Sequence, residues 1–191
     1  HGDGLARSAL NRLQFGDDVL AAMRALKDVF DPLGLMNPGK VVDAPDPRAD
    51  LRFGPDYEAR GWRARFAYPD DGDLTRAVEQ CNGAGVCRKL ADGAMCPSYM
   101  VTLDEEHSTR GRANALRAVL DGRLDPDTLT SDRMADVMRL CVACKACETE
   151  CPSGVDMARL KAEVLAERHA RHGTPLRSQL FGRVHDVERI L

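Results

Sequence analysis

Aromatic side chains are scarce in this chain, whose 191 residues hold one tryptophan, three tyrosines and five phenylalanines. Aliphatic and methionine side chains must therefore build the core. No apolar run approaches the roughly 20 residues of a membrane-spanning helix. Net charge is only −3 and the arginines are interspersed with acidic residues, so no basic stripe exists and no nucleic-acid partner is expected. No charged, apolar, small-residue leader pattern is visible at the start. The chain opens at His1-Gly2-Asp3-Gly4 without an initiator methionine, and a piece of a longer protein is expected. Seven cysteines, an odd number, exclude complete internal disulfide pairing. Without a secretion signal, thiolate ligands in a reducing cytosol are expected, with peripheral membrane association left open.

What is abundant is cysteine at close spacing. Cys141, Cys144, Cys147 and Cys151-Pro152 follow C-x2-C-x2-C-x3-C-P, a spacing known for bacterial iron–sulfur clusters. Three thiolates three residues apart can wrap one face of a cubane. Pro152 holds the residue before it in extended geometry, so Cys151 is expected to point away from the first three, toward a second cluster. A second group exists at Cys81, Cys87 and Cys96-Pro97. By the same crossed logic, Cys96 is expected to join Cys141, Cys144 and Cys147 on a [4Fe-4S] cluster, and Cys151 to join Cys81 and Cys87.

The second set is one thiolate short, because Ala84 stands three residues after Cys81, where the other motif has its second cysteine. That cluster is [3Fe-4S], or [4Fe-4S] with a non-cysteine ligand or an open iron. Imidazole can replace thiolate, and His107 is the candidate, the alternative being a surface or capping histidine. Zinc is the rival for the whole set, although structural zinc sites usually use two separated pairs of ligands. Arg110-Gly111-Arg112 offers hydrogen bonds toward a cluster, or else two solvated arginines of a first helical turn. Arg88, Lys89 and Lys145 flank cysteines and either offset cluster charge or are simply exposed.

The scaffold reads as mainly α. Met134, Val137, Met138 and Cys141 recur at helical spacing behind the cap candidate Ser131; Leu116, Val119 and Leu120 lie between Ser108 and Gly122; Met157, Leu160 and Val164 precede a stop at Gly173. An α-helical ferredoxin is expected over residues 73–173. Leu176, Leu180, Val184 and Val187 suggest that residues 174–191 begin a further domain or linker helix. Nearer the start, Val19, Leu20, Met23, Leu26 and Phe30 make an inward face for a helix over residues 17–30, followed by a turn and a short strand candidate at Lys40-Val41-Val42. Residues 43–72 hold four of the ten prolines, yet also Phe53, Tyr57, Trp62, Phe66 and Tyr68. An ordered aromatic strap is expected there rather than a flexible linker.

"HGDGLARS" with "FDPLGLMNPGKVV" resembles the carboxyl end, over residues 1–42, of flavin-linked oxidases of the vanillyl-alcohol-oxidase type, which include D-lactate, glycolate and D-2-hydroxyglutarate dehydrogenases. "CNGAGVC…CPSYMVTLDEEHSTRGRANALR" with "CVACKACETECPSGVD" is similar to the dicluster segment of bacterial fusions in which a ferredoxin module follows such an oxidase. The resemblance implies an edge of an α/β flavin domain before the helical ferredoxin. It implies FAD in the full-length protein, a small 2-hydroxy acid as substrate, and a quinone or carrier protein as electron acceptor. His1 would sit beside flavin and substrate, and Asn37 would approach the flavin ring. Iron–sulfur subunits of glycolate oxidase carry eight cysteines, from which this chain departs at Ala84. A non-catalytic electron-carrier subunit is the alternative function.

Overall fold

A computed structural model describes residues 2–49, 51–54 and 57–185; His1 and Val187 lie outside them. The chain divides into two compact units, His1–Tyr57 and Glu58–Leu191. Among the described residues the regular elements are all helical.

In the first unit, α1 (Gly4–Arg7) and a 3-10 turn lead into α2 (Asn11–Phe30), which is kinked at Gly16, where φ is 78° and ψ is 171°. The regular helix thus runs from Asp17, where periodicity places it. Its expected inward face is not inward within this unit, however: Val19, Leu26 and Phe30 are 44%, 61% and 73% exposed. Periodicity marks which face wants burial, but a neighbouring element must supply the cover. The helix ends at Asp31, whose buried carboxylate accepts the backbone N–H of Leu35 at 2.8 Å and of Met36 at 2.9 Å and is bridged by Lys27. Residues 40–43 form bends in place of the expected strand, since a strand needs a neighbour for its ladder. Asn37 occupies the left-handed region with φ 45°, a conformation asparagine tolerates.

The second unit holds α3 (Leu74–Glu79), α4 (Pro97–Thr102), α5 (Thr109–Leu120), α6 (Asp132–Arg139), α7 (Ala146–Glu150), α8 (Met157–His172) and α9 (Leu176–Gly182). Side-chain caps start four of them: Asp73 accepts from Arg76, Ser108 from Gly111, Ser131 from Met134 and Asp156 from Arg159. Each cap satisfies an otherwise orphaned N–H and contributes about 1 kcal/mol. Helix α5 is central, packing on α3, α6 and α8 through Ala113, Leu116, Val119 and Leu120. Methionines fill the rest of the core, with Met95, Met134, Met138 and Met157 all buried. Helix α6 stops at Arg139, so Cys141 follows the helix instead of riding on its buried face as periodicity suggests. On α9, Leu176 and Leu180 are exposed, as is Val184 beyond it.

Residues 60–68 are ordered against this bundle without forming a strand. Arg60 N–H donates to the Leu120 carbonyl at 2.7 Å, Trp62 is half-buried, and Tyr68 is buried on the core. Glu163 of α8 accepts the backbone N–H groups of Arg65 and Phe66 and the Tyr68 hydroxyl. The proline- and aromatic-rich segment is therefore shared between the units: Phe53 and Tyr57 pair their rings, 4.6 Å apart, in the first, and residues 58–72 belong to the second.

Candidate cluster-binding site

Cys96 is the N-cap of α4, Cys141 and Cys144 lie in the loop between α6 and α7, and Cys147 is in α7. The loop curls through two left-handed residues, Ala143 with φ 54° and Lys145 with φ 60°. All four cysteines line one small, partly open cavity. Its other walls are mostly apolar, including Met95, Pro97, Val142, Ala146 and Met157. Cys96 and Cys147 are buried and Cys144 is exposed, so the cavity opens to solvent on one side. Among the described residues no three His, Cys, Asp or Glu side chains converge closely enough for a single metal ion. The four thiols stand around a volume.

The electrostatics of this cavity are unusual. Arg112 is fully buried. Its Nε donates to the Val137 carbonyl at 3.0 Å, Nη1 to the His107 carbonyl at 2.7 Å and to Cys96 Sγ at 3.6 Å, and Nη2 to Ser98 Oγ at 3.1 Å. Burial pushes the Cys96 thiol up, but its hydrogen bonds with Ser98 and the Tyr99 backbone, with the charge of Arg112, outweigh it and leave the pKa lowered. On the other side, Lys161 Nζ donates to the Cys141 carbonyl at 2.5 Å, and burial lowers its pKa. Burial also pushes the Cys147 thiol up to about 11. That thiol holds its proton at neutral pH unless a cation displaces it. A buried guanidinium costs several kcal/mol unless an anion answers it, and among the described residues no carboxylate forms an ion pair with Arg112. Thiolates and a negatively charged iron–sulfur core supply that anion, so the residues present fit such a group.

The second set is arranged differently. Cys81 follows α3 and Cys87 sits in a 3-10 turn, both buried. Cys87 Sγ accepts the backbone N–H of Arg110 at 3.4 Å, while burial raises its pKa. Arg117 donates to the Cys81 carbonyl at 3.0 Å, and Arg110 to the Gly83 carbonyl at 3.1 Å. Between the cysteines, Ala84 N–H folds back on Asn82 Oδ1 at 2.9 Å. Cys151, following α7, does not line the first cavity. Its neighbour Glu150 accepts from Ala94 N–H at 2.8 Å and Met95 N–H at 3.2 Å and pairs with Lys89. That bond set ties the Cys87-to-Cys96 loop to the start of the Cys151 turn.

His107 has polar neighbours of its own around its ring. Its Nδ1 lies 3.0 Å from Thr102 Oγ1 and its Nε2 3.8 Å from a Glu106 oxygen, while its carbonyl accepts from Ser98 and Arg112 beside Cys96. The bases that flank cysteines are paired with carboxylates: Arg88 with Glu105, Lys89 with Glu150, and Lys145 with Glu148 and Asp156. Sequence reasoning missed Ser98, Glu150, Lys161 and Glu163. The signal for Lys161 was its place beside Leu160 and Val164 on the buried face of α8; for Glu150 there was none.

The helical fold and its paired thiol groups define an iron–sulfur domain, and comparison with protein families agrees: residues 77–155 match the 4Fe-4S dicluster domain, and residues 1–41 match the FAD linked oxidases, C-terminal domain. The chain joins sequence of an FAD-linked oxidase C-terminal domain to a 4Fe-4S dicluster domain. Among individual proteins it is similar to D-2-hydroxyglutarate dehydrogenase of Escherichia coli (strain K12), at 30% identity over 100% of this chain and 22% of that protein. The enzyme of the same name from Pseudomonas putida KT2440 is 30% identical over 95% of this chain and 21% of its own length. A probable glycolate oxidase iron-sulfur subunit of Bacillus subtilis (strain 168) is 36% identical over 49% of this chain and 18% of that protein. The chain thus spans about a fifth of the length of these curated relatives. No solved structure matches it.

Proposed function

We propose that this chain is the iron–sulfur electron-transfer portion of an FAD-dependent 2-hydroxy-acid dehydrogenase, with D-2-hydroxyglutarate favoured over D-lactate as substrate of the whole protein. The observation that carries this reading is the single cavity lined by Cys96, Cys141, Cys144 and Cys147 around a buried, otherwise unanswered arginine. Those four residues would hold a [4Fe-4S] cluster. Cys81, Cys87 and Cys151 would hold the second, whose fourth position has no thiolate because of Ala84. When bound, FAD would supply two-electron acceptance from the substrate, and clusters held by these cysteines would supply one-electron transfer. In that relay, Cys96 and Cys151 exchange between the two cysteine groups, Arg112 and Lys161 hold positive charge at the first site, and the apolar walls keep water from most of it. Exposed Cys144 marks the side of the first site nearest solvent. Asn37, in its left-handed turn, and His1 would face the flavin in the complete protein.

The acceptor would be a quinone or a carrier protein. Among the described residues no helix is long and apolar enough to cross a membrane, which is compatible with a cytoplasmic protein that meets a membrane only peripherally. A carrier subunit without substrate chemistry is the second reading, favoured by the similarity to glycolate oxidase iron-sulfur subunits. The oxidase match over residues 1–41 speaks for the first. Anaerobic iron, sulfide and zinc analysis, with EPR before and after dithionite on the same sample, tests the proposal. Iron and sulfide for two clusters are expected, and zinc in their place would overturn it.

A further inference from the structure

Arg112 differs from the more exposed cations near the cysteines, while half-buried Lys161 donates to the Cys141 carbonyl. Arg88, Lys89, Arg110 and Lys145 each pair with a carboxylate. Arg112 is fully buried, and among the described residues only carbonyls, a hydroxyl and the Cys96 sulfur face its guanidinium. Glu106, which senses its charge, is paired with Arg133 instead. Arginine keeps its proton even when buried, where a lysine readily loses it.

The position is also built. Gly111 cannot carry a side chain, because a Cβ there would lie 2.0 Å from the Glu105 carbonyl oxygen. That close approach seats the first turn of α5 against the 3-10 turn at Glu105–His107 and aims Arg112 inward. Ser98 completes the frame by donating to the same His107 carbonyl at 2.8 Å while lying 3.4 Å from Cys96 Sγ.

We infer that Arg112 is a positioning residue that raises the reduction potential of the cluster held by Cys96, Cys141, Cys144 and Cys147, by answering the negative charge that site gains with each electron. The inference rests on the function proposed above. A one-electron reduction makes the site one unit more negative, and a fixed, desolvated cation beside a ligand sulfur favours the reduced state. The polarised Cys96 sulfur also becomes a weaker donor to iron, in the same direction.

The test is a dithionite titration of the purified full chain, followed by EPR, for wild type, Arg112→Gln and Arg112→Lys. At wild-type iron and sulfide content, Arg112→Gln is expected to shift the one-electron equilibrium of one cluster at least tenfold toward the oxidised state, a fall of 59 mV or more. Arg112→Lys, whose buried ammonium readily loses its proton, should recover only part of that shift, and more of it as the pH is lowered. An unchanged potential in Arg112→Gln overturns the inference while leaving the proposed function intact, whereas absence of iron and sulfide in the wild type overturns that function itself. Should the variants fail to fold, wild-type protein labelled with 15N only in the arginine guanidino group decides. A 15N coupling to a reduced cluster in pulsed EPR supports the contact with Cys96, and none overturns it.

Discussion

The carboxylate of Glu163, 1% exposed, accepts the backbone N–H of Phe66 at 3.1 Å across 97 residues of sequence. It anchors the extended residues 60–68 to α8, and with Arg65 and Tyr68 it forms one buried polar set. Glu163→Ala leaves two backbone donors and a hydroxyl unanswered and should cost roughly 3 kcal/mol in urea unfolding. Rapid proteolysis within residues 58–68 should accompany it. Unchanged stability and protection would show that Trp62 and Tyr68 hold the segment alone.

Gly111 is required by approach, since its absent Cβ would meet backbone and not a movable side chain. Gly111→Ala should destabilise by about 2 kcal/mol or more, as overpacking does, and should disturb both cysteine groups, because Arg110 and Arg112 flank it. Thermal unfolding and iron content on the same preparation check this.

His107 has its ring nitrogens on Thr102 and near Glu106. His107→Ala should therefore leave the EPR of both clusters essentially as in wild type, with a stability loss of no more than about 1 kcal/mol from the lost hydrogen bond. A change confined to the second cluster would instead place the imidazole on its iron.

Ala84 occupies the position where a cysteine would complete the second C-x2-C spacing. In Ala84→Cys the added thiolate brings negative charge to that cluster, and its reduction equilibrium should move about tenfold toward the oxidised state. EPR-monitored titration measures the shift. An unaltered spectrum with a free, alkylatable thiol at 84 would mean that the loop holds this position away from iron.

In the first unit, Lys27 and the Met36 and Leu35 backbone groups hold the Asp31 carboxyl below its ordinary value of 3.8. A lowered folded-state pKa stabilises the ionised, folded form, so the contribution is whole above pH 3.8 and fades as pH falls through the lower folded value. Slow amide exchange at Leu35 and Met36 should therefore persist at neutral pH and weaken only below that window. Asp31→Asn should weaken it severalfold at neutral pH; equal exchange in the variant would assign the turn to Pro32 and Gly34.

Much of this molecule was legible in local patterns. Caps at Ser108 and Ser131, the stop at Gly173 and the helical spacing of Leu116, Val119, Met134, Met138, Leu160 and Val164 need only neighbours within a turn or two to take effect. The cysteine spacings likewise state a chemistry, because ligands for one cluster must be delivered by a short loop. Burial and partner choice were decided by the tertiary structure, since they depend on segments far apart in sequence. An Arg-Gly-Arg run reads equally as solvated or buried until α5 packs on α6, and a histidine near a cysteine group reads equally as ligand or cap until the fold sets Thr102 Oγ1 3.0 Å from its Nδ1. The apolar stripe of α2 shows the limit from the other side: periodicity specifies which face seeks cover, and only a packed neighbour can provide it.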